Sequence, residues 1–217
     1  GVATNATDPN DFTDTDNGGV PDYVETILFP NEGLTATDPN VAADDNQDTD
    51  GDGVPDFQEL LDGTNPSDPA SYTDTDGDLV PDFVETQDGT NPNDGTDYED
   101  TDGDLVPDYV ETTYQPNNGG VATNATDPND FTDTDNGGVP DYVETILFPN
   151  SGLTATDPNV AADDNQDTDG DGVPDYQELL DGTNPNDPAS YTDSDGDLVP
   201  DYVETQDGTN PNDGTDY

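Results

Sequence analysis

The chain has 217 residues, 55 of them acidic and none Lys, Arg or His, for a formal charge of −55. That charge excludes nucleic acid and anionic membrane as partners, and with no basic side chain no salt bridge can form, so cations must come from solution. Only 26% of residues are hydrophobic, and 20 Pro and 22 Gly give a composition that by itself belongs to disordered acidic polymers.

In chain order, seven segments override that prior, each spelling D-x-D-x-x-x-V-P-D-x-x-E: residues 14–25, 48–59, 74–85, 100–111, 133–144, 167–178 and 193–204, here loops 1 to 7. In loop 2, Asp48, Asp50, Asp52, Asp56 and Glu59 fall at positions 1, 3, 5, 9 and 12, the ligand positions of a twelve-residue calcium loop. In a tightly coiled loop the odd early side chains converge on one centre, the position 7 carbonyl joins them, and a long Glu returns at position 12. The same positions give Asp14, Asp16, Asp22 and Glu25 in loop 1, and Asp74, Asp76, Asp78, Asp82 and Glu85 in loop 3. Loop 4 offers Asp100, Asp102, Asp104, Asp108 and Glu111, and loop 5 Asp133, Asp135, Asp141 and Glu144. Loop 6 offers Asp167, Asp169, Asp171, Asp175 and Glu178, and loop 7 Asp193, Asp195, Asp197, Asp201 and Glu204. The carbonyl candidates are Val20, Val54, Val80, Val106, Val139, Val173 and Val199. Calcium takes six to eight such oxygens, magnesium resists losing its water, and zinc wants nitrogen or sulfur, of which the chain has neither His nor Cys. Asp and Gly marking solvated turns would not repeat one ligand spacing seven times.

These loops are not paired EF-hands. Position 8 is always Pro, which has no N–H for the pairing strand, and the flanks, such as Ala70-Ser71-Tyr72-Thr73, carry no helix signal. After the loop a helix starts at Pro and runs from Asp56 through Leu61 to a stop at Gly63, about two turns. Between loops stand T-[DN]-P connectors such as Thr37-Asp38-Pro39 and Thr64-Asn65-Pro66, rigid and non-helical, whose Asp or Asn either makes an Asx turn or lends an oxygen to a metal. A thin apolar spine is expected from the position 7 valines, the position 10 aromatics (Tyr23, Phe57, Phe83, Tyr109, Tyr142, Tyr176, Tyr202) and linker aromatics such as Phe12, Tyr98 and Tyr217, with ring-on-ring contact between successive repeats. The most apolar run, Ile27-Leu28-Phe29, repeated as Ile146-Leu147-Phe148, is read as a local core.

A longer repeat contains the loops. Gly1–Tyr98 recurs as Gly120–Tyr217 with five differences, at 32/151, 57/176, 67/186, 75/194 and 83/202. The domain reading is therefore a first period over 1–119 and a second, incomplete one over 120–217, each repeat touching mainly its neighbours. The absence of Met and the start at Gly1 predict a processed product or an internal segment, and no apolar run approaches the ~20 residues that span a bilayer.

The D-x-D-G-D-G-V-P-D-x-x-E loops and the G-T-N-P connectors at Gly63–Pro66 and Gly89–Pro92 resemble thrombospondin type 3 repeats in the cysteine-free form of bacterial and archaeal surface proteins. The resemblance implies an extended chain wrapped around many calcium ions, serving as a surface stalk, spacer or matrix component. Three departures matter. The disulfides of the thrombospondin versions are missing. Gly18 and Gly137 at position 5 cost loops 1 and 5 a carboxylate, so each binds more weakly or borrows a ligand. Leu79, Leu105 and Leu198 replace the turn-forming Gly at position 6, predicting a modified bend.

The fold expected is a calcium-stabilised repeat array of mostly irregular loops and one- to two-turn helices, an elongated rod or solenoid with little regular sheet. The function expected is an extracellular, calcium-rigidified fibre or stalk whose partners are calcium and neighbouring copies of the repeat along a filament. Alternatives are a spacer in a larger adhesin or surface enzyme, and a calcium buffer or mineral-nucleating polymer. No catalytic constellation is visible. The sequons at Asn5 and Asn124 are glycosylation candidates, one per period.

Overall fold

The computed structural model describes residues 13–216, so Asn5, Phe12 and Tyr217 lie outside the described residues. The element order is π1 (Val24–Leu28), α1 (Phe29–Glu32), α2 (Asp56–Asp62), α3 (Asp82–Asp88), π2 (Val110–Tyr114), α4 (Gln115–Asn117), π3 (Val143–Leu147), α5 (Phe148–Asn150), α6 (Asp175–Asp181) and α7 (Asp201–Asp207). No strand occurs among the described residues. The expected loops and short helices are therefore present without sheet.

Every loop ends in a helix, but of two kinds. After loops 2, 3, 6 and 7 comes a seven-residue α-helix. Pro55 precedes the first of these as its extended N-cap (φ −63°, ψ 143°), rather than as its first helical residue. The end is set by Gly63, whose φ of 79° is left-handed and suited to a residue without Cβ. The Gly63 and Thr64 N–H groups both close onto the Glu59 carbonyl, at 2.8 and 2.9 Å.

After loops 1, 4 and 5 the chain instead forms a π-turn and then a short α-turn carrying Pro30, Pro116 or Pro149 near its start. Proline lacks the N–H that an i→i−4 bond needs and its ring crowds the preceding carbonyl, so one α-helix cannot run through. The widened turn absorbs the conflict: the Phe29 N–H bonds Val24 O, five residues back, and Phe148 repeats this with Val143. The sequence pattern foresaw helices here but not their π register.

The described residues fall in two compact units. One takes the chain through Thr75 with Leu79–Pro92 and Thr113–Val121; the other takes Asp76–Asp78, Asn93–Thr112 and the chain from Ala122 on. In the first, Val20, Val24, Phe29 and Leu34 form a buried cluster edged by Tyr23, Leu28, Phe57 and Leu60. In the second, Val139, Val143, Phe148 and Leu153 are the buried counterparts, and Leu147 is buried as well. The apolar run thus does build a local core in each period. One aromatic contact between repeats is explicit: Tyr98 meets Tyr142 edge-on, centroids 6.1 Å apart at 87°.

Candidate metal centres

One hydrogen-bond frame recurs around the loops. The position 1 carboxylate accepts the N–H of positions 4 and 6; in loop 2, Asp48 takes Gly51 at 2.7 Å and Gly53 at 2.9 Å. Positions 4 and 6 are left-handed in all seven loops, from Asn17 (φ 62°) and Gly19 (φ 113°) to Gly196 (φ 82°) and Leu198 (φ 76°). The modified bend expected at Leu79, Leu105 and Leu198 is therefore not found: each leucine adopts the glycine conformation, at φ 74°, 71° and 76°.

The position 9 aspartates close the frame. Asp56 accepts the Thr49 N–H at 2.7 Å, the Thr49 hydroxyl at 2.8 Å and the Gln47 side-chain amide at 2.8 Å. Asp22, Asp82, Asp108, Asp141, Asp175 and Asp201 hold the position 2 N–H and hydroxyl of their own loops in the same way. One oxygen of each of these carboxylates takes the backbone N–H and the other the side-chain hydroxyl of the same position 2 residue. The connectors form Asx turns: Asp38 and Asn65 accept the N–H two residues on, across the proline.

Positions 3, 5 and 12 behave differently. Carboxylate oxygens of Asp48, Asp50 and Asp52 lie within 4.8 Å of one another, as do those of Asp100, Asp102 and Asp104. The position 12 glutamates are sealed: Glu25, Glu59, Glu85, Glu111, Glu144 and Glu178 are 0% exposed and Glu204 1%. Neither oxygen of Glu59, Glu178 or Glu204 accepts a hydrogen bond, and one buried oxygen of Asp50, Asp104, Asp169, Asp171 and Asp197 is likewise unmet. In loops 1, 4 and 5 a threonine twelve residues on donates to one oxygen of the glutamate, Thr37 to Glu25, Thr123 to Glu111 and Thr156 to Glu144, and leaves the other unmet.

Burial pushes the Glu59 carboxyl up to about 8, with the surrounding aspartates adding to the rise. It pushes Glu25, Glu111, Glu144 and Glu178 up to about 7, the threonine hydroxyls drawing the first three back in part. Asp52 and Asp104 rise to about 6, again mainly by burial. A buried carboxylate without a partner is among the costliest groups a protein can hold, and this chain has no cationic side chain to offer. Carboxylate oxygens grouped within 4.8 Å, several of them buried without a hydrogen bond, fit calcium in donor type.

Loops 1 and 5 replace the missing position 5 carboxylate from outside the motif. Asp16 and Glu25 group with Asp45, and Asp135 and Glu144 with Asp164, within 4.8 Å. The spacing inside the twelve-residue motif does not reveal these two aspartates. The signal that could have found them is Asp44-Asp45 and Asp163-Asp164 standing before loops 2 and 6, in each case following a loop with Gly at position 5. The seven position 7 valines are buried except Val199, which is half-buried, and Asn124 is exposed with its Oδ1 accepting the Thr126 hydroxyl at 2.8 Å.

The family model of the bacterial TSP3 repeat matches residues 48–69, 167–188 and 193–214. These three segments are similar to bacterial TSP3 repeats. They contain loops 2, 6 and 7 with the helix and Asx-turn connector that follow, so the matched unit is the loop, α-helix and turn together. No curated protein and no solved structure matches the chain. Loops 1, 4 and 5, outside the matched segments, share the hydrogen-bond frame of loops 2, 6 and 7 but continue into π-turns. Loop 3 is divided between the two compact units and keeps the local bonds of Thr75 to Asp82 and Leu79 to Asp74. Among the described residues, no helix is long and apolar enough to cross a membrane.

Proposed function

We propose that this chain is an extracellular structural protein, a tandem array made rigid by calcium and used as a fibre or stalk. One observation carries the reading: seven glutamates at the same loop position are 0–1% exposed in a chain without a basic residue. Glu is almost never fully buried unless paired, and in a sequence without a basic side chain the charge of these glutamates is neutralised by a cation from solution. Asp and Glu at positions 1, 3, 5 and 12 would hold the ion with the position 7 carbonyl, while position 9 shapes the loop that presents them. Calcium would supply the positive charge that lets the carboxylates stay ionised when buried.

Near-identity of the two long periods favours a fibre or stalk, which needs the same unit repeatedly. Millimolar calcium outside cells suits many modest sites, and exposed Asn124 leaves room for a glycan. We read the chain as non-catalytic, its candidate acids and bases being enclosed within loops. Surplus carboxylates repel one another and favour extension.

Circular dichroism and small-angle scattering, with calcium, with excess chelator and with magnesium, test this. Calcium is expected to give an ordered chain with a radius of gyration well above the ~17 Å of a compact protein this long. At about pH 8, where the buried glutamates no longer gain from holding protons, chelator is expected to abolish order, and magnesium to restore it poorly. An unchanged spectrum and size in chelator would overturn the proposal.

A further inference from the structure

We propose that Asp45 and Asp164 are calcium ligands of loops 1 and 5, supplied in trans along the chain in place of the side chain that Gly18 and Gly137 lack. The inference rests on reading the loops as calcium sites and adds two ligands that lie outside the repeated motif. A Cβ built on Gly18 would stand 2.6 Å from the Asp45 Cγ and 2.9 Å from the Ala42 Cα. The Asp45 carboxylate therefore occupies the space of a position 5 side chain. It also takes over that side chain's bond. In loops 2, 4, 6 and 7 the position 7 N–H donates to the position 5 aspartate at 2.9 Å. In loop 1 the Val20 N–H donates to Asp45 Oδ2 at 3.0 Å.

The other Asp45 oxygen is what points to a ligand. Asp45 is 2% exposed, its Oδ1 is buried and accepts no hydrogen bond, and its carboxylate lies within 4.8 Å of those of Asp16 and Glu25, each of which also has a buried oxygen without a hydrogen bond. The second period, nearly identical in sequence, repeats this: Asp164 is 3% exposed, its carboxylate lies within 4.8 Å of those of Asp135 and Glu144, and all three have buried oxygens without a hydrogen bond. A purely structural acceptor for Val20 would need one oxygen, and an amide would serve as well. Burying a second, ionised oxygen against two further carboxylates is unfavourable unless a cation joins them.

The consequence reaches beyond one site. An ion held by Asp16, Glu25 and Asp45 clips residue 16 to residue 45 and closes a loop of about thirty residues, including the Asp38-Pro39 turn. Calcium at loop 1 then orders the approach to loop 2, and calcium at loop 5 the approach to loop 6.

The test is the number and affinity of calcium ions bound by the 217-residue chain, by titration calorimetry and native mass spectrometry, in wild type, Asp45→Asn, Asp164→Asn and the control Asp88→Asn. Asparagine retains an acceptor for the Val20 N–H and removes only the charge. Each of the first two is expected to lose one ion or bind it about tenfold or more weakly, with the control unchanged. Restoring the ligand in cis, as Gly18→Asp with Asp45→Gly, is expected to return the lost ion. Wild-type ion count and affinity in both asparagine variants would overturn the inference while leaving the loops as calcium sites. A wild-type chain that binds no calcium would overturn both.

Discussion

The Tyr98 hydroxyl donates to the carbonyl of Leu105 at 3.2 Å, and Leu105 sits at φ 71°, a region that a residue with a Cβ enters at a cost of about 1–2 kcal/mol. The pairing recurs as Tyr72 with Leu79 and Tyr191 with Leu198. Loops with Gly at position 6 have Phe or Asn in place of that tyrosine. A strained leucine and a hydroxyl to hold its carbonyl therefore travel together. Tyr98→Phe is expected to lower stability in saturating calcium by about 0.5–1 kcal/mol. Leu198→Gly, at a side chain 78% exposed with little packing to lose, is expected to raise it by up to about 1 kcal/mol. Denaturant midpoints decide both; a destabilised Leu198→Gly would show that the leucine packs on something.

Asp56 and Glu59, three residues apart, are predicted to fail in different ways. Asp56 takes two hydrogen bonds from Thr49 of its own loop and one from Gln47 just before it, so Asp56→Ala breaks the frame and is expected to cost about 3 kcal/mol or more locally. Neither oxygen of Glu59 accepts a hydrogen bond, so Glu59→Gln leaves the frame intact and weakens calcium at loop 2 alone. Hydrogen exchange of loop 2 amides, read beside calcium affinity, separates the two. Equal loss of protection in both variants would place Glu59 in the frame as well.

Much of this was legible because the ligand spacing, the Val-Pro pair and the Gly63 stop are local in sequence, and local hydrogen bonds then fix the loop. The role of position 9 was harder to see: Asp22 and Asp56 satisfy the calcium pattern, but only geometry reveals that Thr15 and Thr49 claim both oxygens. The π-turns escaped because Pro30 and Pro149 signal an interrupted helix without saying how the chain absorbs the interruption. Asp45 and Asp164 escaped because a ligand 29 residues from its partner is specified by tertiary packing, here the Phe29 core, and not by motif spacing.

Calcium binding is predicted to release protons near neutral pH. Glu59 titrates at about 8 in the fold against an ordinary 4.5, and Glu25, Glu111, Glu144 and Glu178 at about 7. Between those values the metal-free fold holds more protons than the unfolded chain, so its stability is fullest below about pH 4.5 and is lost as pH rises through 7 to 8. Calcium must displace those protons, and its apparent affinity is expected to rise from about pH 5.5 to 8. Calorimetry at about pH 6.5 in two buffers of different ionisation heat measures the release. Identical heats in both would mean that the glutamates are already ionised.

Phe29 links the local core to the borrowed ligand. It is 0% exposed and packs with Val20, Val24 and Leu34, and Val20 is the residue whose N–H holds Asp45. Phe29→Ala is expected to cost about 3–5 kcal/mol within that core. Val20 then loses its support, Asp45 its anchor, and loop 1 its calcium affinity. Phe148 stands in the equivalent place behind loop 5, and Phe148→Ala is expected to do the same there. Because stability in a repeat array is shared mainly between neighbours, Phe29→Ala should leave calcium binding and amide protection at loops 6 and 7 unchanged. Residue-resolved hydrogen exchange in saturating calcium reads both ends of the chain in one experiment. Loss of protection across all seven loops from this one substitution would instead make the chain a single cooperative domain.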